Sequence, residues 1–245
     1  MRSGNPSLKE NTFAEYQGMA TGNDAMTIQG TVNKTFVLLA LVLATAIYTW
    51  IQYFSGVNVT PHLMLGAIGS LVAALIVIFA KRTAPVVAPI YALLEGLFVG
   101  GISAIYENQF QGITVMAVLL TFTVLFGLLF VYKTGLIKVT QNFRLGVFAA
   151  TFGIFLAYFV SFILGFFGIT VPFIHDSGPI GILVSVFIVI IAALNLVLDF
   201  DFIEKGAEMR CPKYMEWYGA FGLMVTLIWL YLEILRLLAK ISSRR

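Results

Sequence analysis

Thr35–Ala80 reads TFVLLALVLATAIYTWIQYFSGVNVTPHLMLGAIGSLVAALIVIFA, without one Asp, Glu, Lys or Arg. A helix needs roughly 20 apolar residues to cross the hydrocarbon core of a bilayer. This stretch holds two such runs, parted by a short polar connection around Ser55–Pro61. A second uncharged stretch runs from Leu145 to His175. The whole chain of 245 residues is 60% hydrophobic and 11% charged, where a soluble domain carries about 25% charged residues. The sequence therefore predicts an all-α integral membrane protein.

Seven segments qualify as spans, at approximately 35–55, 62–80, 86–106, 112–132, 145–168, 180–203 and 216–238. Pro61, Pro85 and Pro179 each stand at the entry to a span, where a proline costs no helical hydrogen bond. Gly56 and Gly168 follow spans, as helix stops do. The organisation expected is a flexible polar tail (1–33), a membrane domain (34–240) and a basic C-terminal end (241–245). The tail lacks an early apolar run, so it does not read as a cleavable signal peptide.

Lys and Arg fall in alternate connections: Arg2, Lys9 and Lys34; Lys81 and Arg82; Lys133, Lys138 and Arg144; Lys205, Arg210 and Lys213. The intervening connections hold His62, Glu107, His175 and Asp176 instead. By the positive-inside rule the N-terminus is cytoplasmic. Arg236, Lys240, Arg244 and Arg245 break the pattern, which leaves a seventh span forced across by the other six, or a re-entrant one. The net charge of +3 follows from this arrangement and gives no reason to expect a nucleic-acid partner. Cys211 is the one cysteine, so no intrachain disulfide and no cysteine-rich metal site is expected.

Four carboxylates lie in or at the edge of spans: Glu95, Asp199, Asp201 and Glu233. An acid at bilayer depth costs on the order of 2.5 kcal/mol or more and usually faces a bundle interior or a watery cavity. Glu95 adjoins a stripe of small residues, Gly96, Gly100 and Ala104, which lets a neighbouring helix come close. Asn195 and Asp199 are four apart and share a helix face, whereas Asp201 points elsewhere. Thr226, Glu233 and Arg236 lie near one face of the last span, with Glu233 and Arg236 spaced for a salt bridge.

No enzyme motif appears. His-Glu-x-x-His, Gly-x-Ser-x-Gly and a phosphate-binding Gly-Lys-Ser/Thr loop are all absent. Every lysine falls at a span end, where no Schiff-base lysine of a retinal protein would sit. Neither Tyr-Asp nor Gly-Asp, as an aspartyl intramembrane protease uses, occurs. The chain is not expected to be an enzyme or to need a cofactor.

Three segments carry a resemblance: Leu94-Glu95-Gly96-Leu97 with Gly100 and Ser103; Leu198-Asp199-Phe200 with Ile203; and Leu230-Tyr231-Leu232-Glu233-Ile234-Leu235-Arg236. In this order, within seven spans, they resemble the Bax-inhibitor family in its bacterial branch. The resemblance implies a seven-helix bundle with the last helix near the centre, and a pH-sensitive calcium leak. It implies two aspartates, on the sixth and seventh helices, that share a proton and gate that leak. Close carboxylates do not ionise together cheaply, so such a pair senses pH, and its oxygens suit Ca²⁺.

Asp199 matches the first aspartate, and the second depends on register. One register gives Glu233, the other Thr226, and Glu95 is the substitute at similar depth. The acidic site expected is Asp199 with Glu95, with Asn195 and Thr226 as polar neighbours. Glu233 is then an outer acidic position held by Arg236. Ca²⁺ enters as a permeant ion at Asp199 and Glu95.

The function this favours is a pH-sensitive cation leak channel, in a bacterial inner membrane. The alternative is a non-conducting interaction protein that regulates membrane-protein quality control through a membrane-embedded ATP-dependent protease, with the polar tail as its handle. A proton-coupled transporter would use the same acids.

Overall fold

The structure is a computed structural model that describes residues 24–168 and 178–244. The tail residues 1–23, the connection holding His175 and Asp176, and Arg245 lie outside the described residues. Among the described residues seven long helices follow one another: α1 (Ile28–Phe54), α2 (Thr60–Phe79), α3 (Ala84–Gln109), α4 (Ile113–Lys133), α5 (Gln141–Phe166), α6 (Pro179–Glu208) and α7 (Met215–Ser242). Each is long and apolar enough to cross a membrane. Among the described residues there is no strand, only an isolated bridge between Ala25 and Pro212. The protein is an all-α, membrane-spanning helix bundle.

The helix ends follow local chemistry. Pro61 sits in the first turn of α2, and Pro179 is the first residue of α6. Gly56 and Gly168 take left-handed backbone, φ 81° and 72°, which ends α1 and follows α5 without the strain of a side chain. α1 starts earlier than its apolar run suggests. The Thr27 hydroxyl caps it by accepting from Gly30 N at 3.0 Å, so the polar segment 28–33 is helix, with Thr31 turned fully inward. α6 runs five residues past the expected end. Lys205 reaches back to Asp201, at 2.8 Å from Oδ1, so the charges that looked like a boundary pair along the helix.

The chain divides into two compact units. The first takes in α1–α3, the end of α6 from Asp199, and α7 up to Val225. Its packing is glycine-led. A Cβ on Gly96 would stand 2.0 Å from Thr45 Oγ1 and 2.3 Å from the Val42 carbonyl oxygen, and one on Gly100 would stand 2.3 Å from the Ala46 carbonyl oxygen. Only hydrogen fits there, so α1 lies directly on the backbone of α3. Gly101 does the same for Leu63 of α2, with 2.6 Å to Cδ2. Tyr91 of α3 meets Phe221 of α7 edge-on, centroids 5.0 Å apart.

The second unit comprises α4, α5, α6 up to Leu198 and α7 from Thr226. Its buried core is Ile154, Ile188 and Ile191, packed against Leu194, Val184 and Trp229. Both units turn many large apolar residues outward, among them Phe36, Ile47, Phe79, Phe130 and Phe166. Lipid tails are the solvent such faces suit. α7 is the most buried of the seven, at 56% of its apolar window against 17% for α4 and α5.

Candidate functional site

Glu95 is buried in the first unit and points to α2. The hydroxyls of Ser70, on α2, and of Tyr91, one turn back on α3, hydrogen-bond to its carboxyl group. Ser70 and Tyr91 are themselves buried, so Glu95 lies in a polar pocket inside the unit and not against lipid. The same Tyr91 ring rests on Phe221. One residue on, Gly222 faces Asp199: a Cβ on Gly222 would stand 3.8 Å from Oδ1 of Asp199. Glu95, through Tyr91, and Asp199 thus both address the Phe221–Gly222 step of α7.

Asp199 lies nine residues before the end of α6 at Glu208, about 14 Å along the helix. Glu95 stands 11 residues into α3, about 17 Å along it, and Gly222 stands seven residues into α7, about 11 Å along it.

Asn195 and Thr226, expected beside Asp199, belong to the second unit. The Asn195 amide donates at 2.8 Å to Thr151 Oγ1 of α5 and at 2.8 Å to the Ile191 carbonyl. Thr226 is buried. Glu233 is also in this unit and nearly inaccessible. Arg236 Nη1 donates to its Oε1 and Oε2 at 3.0 and 3.1 Å, and the Tyr158 hydroxyl of α5 donates to the same oxygens at 3.0 and 3.2 Å. The Arg236 guanidinium lies over the Tyr158 ring, 5.2 Å from its centroid. Glu233, Arg236 and Tyr158 form one hydrogen-bonded cluster.

α7 itself is an unbroken helix through Ser242, so it has the length of a full span and not the break of a re-entrant one. Lys240, near its end, is not a free surface charge. It is buried, and its Nζ donates to the Gly181 carbonyl and Ser185 Oγ of α6 at 3.1 and 2.9 Å.

One acid escaped the sequence reading. Glu216, at the start of α7, has a fully buried side chain ringed by donors. The Thr27 N–H and hydroxyl reach Oε1 at 2.9 and 2.8 Å, Lys213 Nζ reaches Oε1 at 3.0 Å, and Lys34 Nζ bonds Oε2. Gly30 makes room, since a Cβ there would stand 2.1 Å from Oε1. Next to this cluster, Met26 N donates to the Cys211 carbonyl at 2.6 Å. Burial pushes the Cys211 thiol above the ordinary cysteine range, with the Lys81 charge opposing it.

Among the described residues no three His, Cys, Asp or Glu side chains gather as a metal site would require. Asp199 and Glu95 offer oxygens that a passing cation could meet, with Ser70 and Tyr91 hydroxyls beside Glu95.

A family model described as Bax inhibitor 1 like matches residues 5–243, nearly the whole chain. The chain belongs to the Bax inhibitor 1-like family. No curated protein and no solved structure matches it. Membership of the Bax inhibitor 1-like family agrees with the seven apolar helices and covers all three motif segments.

Proposed function

We propose that this member of the Bax inhibitor 1-like family is a pH-sensitive cation leak, with Ca²⁺ as the permeant ion and Asp199 and Glu95 as its carboxylates. The observation that carries this reading is the convergence of both acids, inside one unit, on the Phe221–Gly222 step of α7. A buried acid and a half-buried one that converge on the same step of one helix are an expensive way to hold helices together and an ordinary way to pass or sense a cation. Glu233 is the outer acid, held by Arg236 and Tyr158. A proton on either inner carboxyl removes charge that a cation needs, which links flux to pH.

Its home on this reading is a bacterial inner membrane, with the N-terminus cytoplasmic as the Lys and Arg distribution supports. Reconstituted protein tests the proposal: Ca²⁺ flux should vary with pH, and Asp199→Asn should remove that variation. Folded protein without flux would favour a non-conducting interaction partner instead.

A further inference from the structure

Met26 precedes the Thr27 cap, so it stands outside α1. It is nevertheless buried, at 2% exposure. Gly219 of α7 marks where its side chain goes. A Cβ on Gly219 would stand 3.5 Å from Met26 Cε, and 3.3 Å from both Ile203 Cγ1 of α6 and Thr31 Cγ2 of α1. Three apolar groups, from the entry segment, α6 and α1, therefore close around one point of α7. Ile203 follows Asp199 by four residues, one turn along the same face of α6. Gly219 precedes Gly222, which faces Asp199, by three residues. Met26 thus sits roughly 5 Å along the helices from the level of Asp199, on the side of the α6–α7 connection.

The entry segment is tied to that connection and to the first turn of α7. Met26 N donates to the Cys211 carbonyl at 2.6 Å, and Ala25 bridges Pro212. The Thr27 N–H and hydroxyl reach Glu216 Oε1 at 2.9 and 2.8 Å. Thr27 accepts its cap bond from Gly30 N separately, so these ties can open without unwinding α1. Methionine is unbranched and flexible, which suits a side chain that leaves and returns.

We propose that Ala25–Thr27 is an autoinhibitory strap and Met26 its plug, closing the way between Asp199 and the α6–α7 connection. On the leak reading above, on which this rests, cations that reach Asp199 pass Gly219. An apolar constriction at that point stops them by excluding water.

The test is Ca²⁺ flux into proteoliposomes with full-length protein, each variant shown to be folded. Cys211→Ala is the reference, so that a single thiol can be introduced. Met26→Cys in that background shortens the plug and should raise flux several-fold. Methyl methanethiosulfonate then transfers its CH₃S group to the thiolate; a disulfide forms and methanesulfinate leaves. The product has methionine's number of side-chain heavy atoms, and intact mass confirms the labelling. Flux should fall back to the reference, a reversal that a misfolded sample would not show. Flux in Cys211→Ala that Met26→Cys leaves unchanged would overturn the plug and keep the leak. Raised flux that labelling does not lower would mean a loosened bundle, and would overturn the plug as well. No flux above empty liposomes in any sample, Met26→Cys included, would overturn the leak reading and the plug with it.

Discussion

Gly222 brings the backbone of α7 up to Asp199, so that a Cβ at Gly222 would meet Oδ1 at 3.8 Å, an ordinary contact distance. Gly222→Ala should therefore fold normally. Gly222→Leu sends its branch into the space in front of the carboxylate. If cations pass Asp199, the Leu variant should cut Ca²⁺ flux several-fold while the Ala variant stays near wild type. A folded Gly222→Leu protein that leaks like wild type would separate Asp199 from the path.

The contact of α1 with α3 depends on hydrogen at two positions. Gly96→Val would drive carbon into Thr45 and the Val42 carbonyl. Overpacking of this kind costs about 1–3 kcal/mol or more. Gly127→Val on α4 meets nothing within 4 Å and serves as the control. Thermal unfolding in detergent should show a large loss for Gly96→Val and little change for Gly127→Val; equal Tm values would contradict the packing described.

Glu216 joins the entrance of α1 to that of α7 through Thr27, Lys34 and Lys213. Glu216→Gln keeps the shape and removes the charge. Loss of charge-assisted hydrogen bonds of this type costs about 1.5–3 kcal/mol. The variant should unfold at a lower temperature, and hydrogen exchange at Met26 should rise as its bond to the Cys211 carbonyl loosens. Unchanged exchange there would show that the cluster does not hold the segment.

Cys211 is fully buried and its thiol is pushed up by that burial. The thiolate is the reactive form, so a raised pKa leaves less of it near neutral pH than in an exposed cysteine, whose pKa is about 8.5. Maleimide labelling at pH 7.5 should be much slower in the folded protein than after denaturation, and should speed up as pH rises. Labelling at the rate of a free thiol would contradict this placement.

The spans were legible because charge is so rare between Lys34 and Lys81 and beyond Leu145 that only a bilayer explains it. The Glu233–Arg236 spacing likewise announced a pair on one helix. Other features lie outside what periodicity can carry. Glu216 reads as a boundary charge, because its partners Thr27 and Lys34 are over 180 residues away in sequence. Tyr158 is one aromatic in a run rich in them, and only the meeting of α5 with α7 makes it a ligand of Glu233. The end of α6 was hidden because Asp201 and Lys205 look like an interface until their i,i+4 pairing is seen. The burial of Lys240 was hidden for the same reason, since its acceptors on α6 are backbone and hydroxyl oxygens that no charge pattern reveals.

The most direct measurement is Ca²⁺ flux into proteoliposomes at pH 6 and pH 8, for wild type, Asp199→Asn and Glu95→Gln, each shown to be folded. A leak through the two inner carboxyls predicts that wild-type flux differs between the two pH values and that each variant loses the difference. Wild-type flux equal to that of empty liposomes at both pH values, or a pH dependence that both variants keep, would contradict it.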